Sequence, residues 1–409
     1  MTQKLSGMSV AVLSVLLTGT AAAADDMQGA DKQNGVSGQS SEPGTINAGG
    51  FEIKPTLGLS VGTNDNVGLS SGAVPKTSSS FTILRPKVAI DMPTNGQVYS
   101  ANYSGAYANY TSSSQDNYND QNFGLAAKNE WTSRVNSLVN VDYSNGHDGR
   151  NAMPTGDISK ELWHTTGVKG MAHYGADGAQ GQFELTAGQL SKRYDTNLSG
   201  FTQILNYDAT PVTGAFFYKV APATHMIFQA GTTSYSYQNI AAKIYDSKEQ
   251  QYMVGVKWEA TAKTTGNIRV GSVSKSFSSG FPTVSSPVWN AAVAWSPRTY
   301  SVVNFALSQA AAEAYGVGSS MISRDSIVNW THEWTSYVKS MLSYDDGLDT
   351  FQFPSGMVFK RQSYEAKLSY AVNRRLNAGV DFQNWKRSAN LAAFNYTQSI
   401  AMIVLDGSL

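Results

Sequence analysis

The sequence predicts an all-β chain: a transmembrane antiparallel outer-membrane β-barrel of about eighteen strands, within a range of sixteen to eighteen. Three observations predict it. Apolar and polar residues alternate with a period of two through most of the chain, aromatic residues recur at one end of those runs, and tight turns alternate with long polar loops.

The alternation is plainest between Lys248 and Phe277. Tyr252, Val254, Val256, Trp258 and Ala260 share one face of an extended segment, with Met253, Gly255, Lys257 and Glu259 on the other. A period of two marks a strand with two different faces. The polar turn from Thr261 to Gly266 reverses the chain, and Ile268 and Val270 resume the apolar face opposite Arg269. This is a hairpin, greasy on one side and charged on the other.

Such a hairpin fits a soluble sandwich or a lipid-facing barrel, and the aromatics separate the two. Trp131, Trp258, Trp295 and Trp334 each sit at a strand end before a short turn, as do Tyr174, Tyr218 and Tyr370. Rows of Trp and Tyr at one level form the girdle expected at a membrane interface.

Residues 1–24 read as a secretory signal peptide: Lys4 supplies the positive start, Met8 to Leu17 a short apolar run, and Ala21 to Ala24 a small-residue cleavage site. The polar stretch 25–50, rich in Gly, Ser, Asn and Gln, reads as a disordered periplasmic leader, and 51–409 as the barrel. Charged residues are 15% of the chain, below the roughly 25% of soluble domains, mean hydropathy is −0.28, and Gly (37) and Tyr (21) are plentiful. No later apolar run is long enough for a spanning helix. The chain has no cysteine, which excludes disulfides and lipoprotein anchoring. Without the leader, 29 basic residues stand against 30 acidic ones, a balance that offers nothing to nucleic acid.

Strands from 51–62 through to 396–409 are joined by tight links, as at Thr132 to Arg134 and Ser296 to Thr299, that alternate with long ones, as at Thr63 to Ser80 and Ala311 to Ile322. The runs at 204–219 and 224–237 show no clean face. Short turns on one rim and long loops on the other are the outer-membrane layout, with both termini periplasmic. In the last strand Ala401, Ile403, Leu405, Gly407 and Leu409 share a face to the final residue, although Leu409 replaces the usual terminal aromatic.

A barrel of this size holds water unless it is plugged. Parity places Arg85, Lys87, Lys128, Glu130, Asp142, Lys169, Glu184, Lys192, Lys257, Glu259, Arg269, Lys275, Glu365, Lys367 and Asp381 inside, where they would line a substrate pathway. Both signs are interspersed, so charge alone predicts neither an anion nor a cation filter. Inward Tyr110, Trp163 and Trp385 offer faces for sugar rings, though ordinary packing uses the same residues.

Two constellations have chemical alternatives. Ser144-Asn-Gly-His147 has the residue types of a barrel-embedded hydrolase, but with Ser ahead of His and at a turn, so no catalytic residue is assigned. The acids at 116–120 and 345–349 offer oxygens on outer loops without the twelve-residue calcium pattern. Neither a metal nor a cofactor is implied.

The segments Phe51 to Gly58, Asn64 to Val67, Tyr143 to Asn151, Tyr174 to Gly181 and Thr264 to Gly271, in that order, resemble the putative β-barrel porin-2 family. The resemblance implies a Gram-negative outer-membrane barrel that takes part in exopolysaccharide or capsule export. Its implied partners are outer-membrane lipid, the polysaccharide, periplasmic and inner-membrane polysaccharide-assembly proteins and, during biogenesis, the barrel-assembly machinery. A general nutrient porin is the alternative.

Overall fold

The computed structural model describes residues 44–72, 75–152, 160–196, 202–261 and 263–409. The expected signal peptide, and the leader as far as residue 43, lie outside the described residues.

A short strand β1 (Ile46–Ala48) precedes eighteen long ones: β2 (Phe51–Asn64), β3 (Ser79–Thr94), β4 (Gln97–Tyr110), β5 (Tyr118–Thr132), β6 (Val135–Asp148), β7 (Glu161–Tyr174), β8 (Gly181–Tyr194), β9 (Tyr207–Ala221), β10 (Thr224–Tyr237), β11 (Ser247–Thr261), β12 (Thr264–Phe277), β13 (Val284–Arg298), β14 (Ser301–Ala312), β15 (Met321–Glu333), β16 (Val338–Phe351), β17 (Val358–Asn373), β18 (Leu376–Ala389) and β19 (Tyr396–Ser408). Each pairs antiparallel with its neighbour in sequence, and β19 pairs with β2 from Ile400↔Asn64 to Ser408↔Thr56. The sheet therefore closes into an eighteen-stranded barrel with no free edge, as the alternation predicts. Eighteen strands about 4.8 Å apart and tilted by about 40° make a ring roughly 35 Å across between backbones.

The outer face is apolar. Leu125, Phe123, Leu185, Phe183, Tyr252, Val254, Val270 and Ile403 stand exposed in a band around the wall, which suits a hydrocarbon surround and would be costly in water. Among the described residues no helix is long and apolar enough to cross a membrane.

The connections segregate as the sequence predicts. β3–β4, β5–β6, β9–β10, β13–β14 and β17–β18 turn within a few residues on one rim, while 65–78, 149–160, 195–206, 238–246 and 313–320 link strands on the other. In the Asn95-Gly96 turn the second central residue takes a positive φ of 75°, which glycine adopts without strain.

Four expectations change. The leader, expected to be disordered to Gly50, is ordered before then: Gly49 and Gly50 take φ of 59° and 89° and fold Ile46–Ala48 back onto β2. Positive φ at both central residues is the requirement of a tight hairpin, and only the Gly pair meets it cheaply. Residues 345–349 are in β16 rather than a loop, so Asp346 points to the opposite face from Asp345 and Asp349, and those two, four residues apart along a strand, do not converge. Ser144 to His147 belongs to β6, not a turn, and His147 Nδ1 lies 3.0 Å from Asp120 Oδ1 instead of beside Ser144. Finally, β9 and β10 show no clean face because their inner side is itself apolar: Ile227 is buried near the short turn, and Tyr207, Ala209, Tyr235 and Tyr237 are buried with Ala242 of the inward 238–246 connection.

Candidate functional site: the lumen and its covered mouth

Strand register places the fourteen candidate pathway residues, and Lys192, on the inner face, but it spreads them round the wall rather than gathering them at one point. Lys128 and Glu130 are paired along β5 at 3.4 Å, and Lys257 and Glu259 along β11 at 3.2 Å. Lys169 is close enough to act on the charge of Asp142, and Arg269 on that of Glu184 four strands away. Arg85, Lys87, Glu365, Lys367 and Asp381 do come together, with Asp406 of β19, in one network of mixed sign, three cations with three carboxylates. Arg85 Nη1 also donates to Ser60 Oγ at 2.5 Å. Balanced charges of both signs leave a hydrated wall rather than a single deep binding charge.

The seven candidate girdle residues, Trp131, Tyr174, Tyr218, Trp258, Trp295, Trp334 and Tyr370, point outward next to the short-turn rim. Trp131 Nε1 and Trp334 Nε1 donate to Ser137 and Ser340, each at 2.9 Å. Such satisfied polar tips suit a level where one end of the ring is apolar and the other wet.

The long-loop mouth is covered, which strand parity alone does not reveal. Three connections fold in. In the 65–78 loop, Asn66 is fully buried: its Nδ2 donates to the carbonyls of Ser70 (3.0 Å) and Thr397 (2.9 Å), and its Oδ1 accepts from the Ser70 amide. Val67 then packs with inward Phe81, Ile83, Tyr110, Ile400 and Met402. Tyr110 is thus used in packing.

After β6, residues 149–152 lie against this first plug. Arg150 grips Asp116 through Nε (2.8 Å) and Nη2 (2.6 Å), the forked geometry that makes Arg–carboxylate pairs strong. Asn151 Nδ2 donates to the carbonyl of Gly68 at 2.8 Å. Arg387 of β18 reaches the carbonyls of Asn151 and Ala152 at 2.7 and 2.8 Å, and that of Phe394 at 2.8 Å. Lys160 donates to the Asn117 carbonyl; burial pushes its ammonium pKa down, against the pull of Asp116 and Asp120.

The third connection, 313–320, crosses the barrel. Glu313 pairs with Lys275 of β12 and accepts from Tyr237 Oη of β10, while Tyr245 Oη donates to the Gly316 carbonyl at 3.0 Å. Ala314 and Tyr315 join one apolar cluster with Trp163 and Tyr194 of β7 and β8 and with Met321, Phe351 and Phe359 of β15 to β17. Those walls lie half a circumference apart in strand order. Burying a side chain such as Phe351 contributes about 1.5 to 3 kcal/mol, so the closed mouth is well held. Trp163 is committed here as well: Asp148 accepts from Trp163 Nε1 and Tyr194 Oη at 3.1 Å each. Trp385 Nε1, by contrast, is buried with no hydrogen-bond partner.

Glu249, Glu313, Arg361, Arg387 and Asp406 are among the charged residues that sequence reasoning missed. Glu249 shares the parity of Lys257 and Glu259 and was within reach of that argument; Glu313 sits in a loop, where parity says nothing. Among the described residues, three or more potential metal ligands do not come together anywhere.

Among solved structures the chain is similar to Pseudomonas aeruginosa OccK3 (OpdO), at 13% identity and a TM-score of 0.45, over 87% of this chain and 95% of that one. It is similar to Acinetobacter baumannii OccAB3, at 10% identity and 0.46, over 87% and 98%. It is also similar to the siderophore receptor PirA of Acinetobacter baumannii, at 6% identity and 0.46, over 87% and 80%. None of the curated proteins matches the chain. The model of one family, described as putative beta-barrel porin 2, matches residues 40–407. Spanning the barrel from before its first strand to its last, that match means the chain belongs to the putative beta-barrel porin 2 family of outer-membrane β-barrel porins.

Proposed function

We propose that the protein is a passive conduit that helps an exopolysaccharide or capsular polysaccharide cross the outer membrane. The observation that carries the reading is the inner wall: charges of both signs are interspersed round a closed barrel, as in the Arg85, Lys87, Glu365, Lys367, Asp381 and Asp406 network. A wall of that kind hydrates a hydroxyl-rich chain without holding it. In this reading the short turns and both termini face the periplasm, the long loops face outward, and the seven aromatics from Trp131 to Tyr370 sit at the inner interface. Residues 1–24 direct export, and the force comes from periplasmic and inner-membrane assembly proteins. No catalytic residue is assigned.

The covered mouth favours a second reading, a porin for small solutes, since three loops narrow the passage. One experiment separates the two. Secreted and cell-retained polysaccharide is measured in a deletion strain, with and without a plasmid copy. Lost secretion restored by the plasmid supports the conduit; unchanged secretion with reduced uptake of small solutes supports the porin and removes the conduit.

A further inference from the structure

The 313–320 loop is joined to the barrel wall in an unequal way. Its tip makes apolar contacts and accepts one hydrogen bond at the Gly316 carbonyl, its far end is tied by backbone hydrogen bonds from Ser319 to Phe353 and from Gln352 to Ser320, and its root at Glu313 carries a single buried charge. Glu313 is 5% exposed and Lys275, its partner, is 0% exposed, with the ammonium 4.0 Å above the Tyr235 ring. Tyr237 Oη completes the grip on the second carboxylate oxygen at 2.5 Å. Such an ion pair holds strongly while intact, and breaking it strands a buried charge.

Here the stranded charge has a second partner. Glu249 of β11 stands directly across the strand pair from Lys275, is 2% exposed, and has one carboxylate oxygen buried without a hydrogen-bond partner. Two carboxylates therefore compete for one ammonium while the loop lies in place. Were the loop to leave, Glu313 would go to water and Lys275 would keep Glu249 across the strand pair. The arrangement lowers the cost of opening, which a purely structural ion pair has no need to do. The loop packs against its neighbouring strands at Met321, Phe351 and Phe359 and also reaches Trp163 and Tyr194 on the far side, so it spans the mouth.

We propose that residues 313–320 form a gate across the long-loop mouth, latched shut by Glu313 on Lys275 and Tyr237, and that Glu249 takes over Lys275 when the gate opens. The inference goes beyond the choice of cargo, because ions alone report it.

Purified full-length barrels in planar lipid bilayers provide the test, read as single-channel current in potassium chloride. Three variants are compared with the parent: Glu313→Gln, a chain with 314–319 replaced by a short Gly-Ser link, and Glu313→Cys with Lys275→Cys joined by a cleavable thiol cross-linker. The chain has no cysteine of its own, so the cross-link is specific. Removing the latch charge should raise the open fraction at least about tenfold; the linked loop should stay closed until the linker is cleaved, and the shortened loop should stay open. Current in Glu313→Gln equal to the parent, or current unaffected by cross-linking, overturns the gate while leaving a conduit. If the shortened-loop variant also carries no current, both the gate and the conduit reading fail.

Discussion

Arg387 donates a 2.8 Å hydrogen bond to the carbonyl of Ala152, a residue 235 positions earlier in the chain. The guanidinium also stacks 4.8 Å from the Phe359 ring and 4.7 Å from that of Tyr396, so it is held from both sides. A side chain at the upper end of β18 thereby fixes a loop that leaves the barrel between β6 and β7.

Replacing it should free that loop without opening the barrel. Arg387→Met leaves three carbonyls without their donor, at a cost of roughly 1 to 3 kcal/mol. The expected result is trypsin cleavage at Arg150 or Lys160, with the heat-modifiable gel mobility of a folded barrel unchanged. Continued protection of both sites would show that the loop is held by other contacts.

A second prediction concerns Arg361 of β17, which bridges Asp349 of β16 at 2.8 Å and Asp325 of β15 at 2.7 Å. Arg361→Met leaves two carboxylates facing each other in a largely buried site, and should cost about 3 to 5 kcal/mol in urea unfolding. Adding Asp349→Asn should return a substantial part of that loss, because the removed charge no longer needs a partner. Additive losses in the double variant would contradict the bridge.

The two faces of one strand give a third. Leu125 faces outward and is 60% exposed, and Ala126 beside it faces the lumen. Leu125→Arg should reduce folding into lipid vesicles by about 2 to 4 kcal/mol, and Ala126→Arg by far less. Equal losses would mean that the outer face of β5 does not meet hydrocarbon.

The aromatic ring gives a fourth. Among variants that keep only Trp131, Trp258, Trp295 or Trp334, fluorescence should be quenched most by lipids brominated near the headgroup and least by those brominated near the chain end. The opposite order would move these residues to the bilayer centre.

Most of the wall was legible in the sequence because a barrel strand obeys one strict rule, alternation, and the rule applies residue by residue. Tyr252, Val254 and Val256 against Met253, Gly255 and Lys257 settle the facing of β11 without any tertiary information. The rule weakens where the inner face is apolar too, as at Ile227, Tyr235 and Tyr237, since period-two contrast vanishes when both sides are greasy. It is silent for loops. Nothing local to Glu313 points to Lys275, and nothing in Asn66 points to Thr397; those contacts depend on which loops bend inward, and closure of the ring decides that. Asp345 to Asp349 is the opposite case, since loop-like composition concealed a strand whose polar residues face both a lumen and a rim.

The docking of the 65–78 loop on the last strand has a temporal consequence. Asn66 follows the first barrel strand, yet its side chain binds Thr397 and its carbonyl accepts from Gln398 Nε2 at 2.9 Å, 331 and 332 residues later. That berth does not exist until β19 has met β2. The earliest loop to be synthesised is thus among the last to settle, and its settling reports that the ring is complete. A barrel left open at the seam would carry this loop unmoored, with Val67 and Leu69 showing to whatever inspects unfinished outer-membrane proteins.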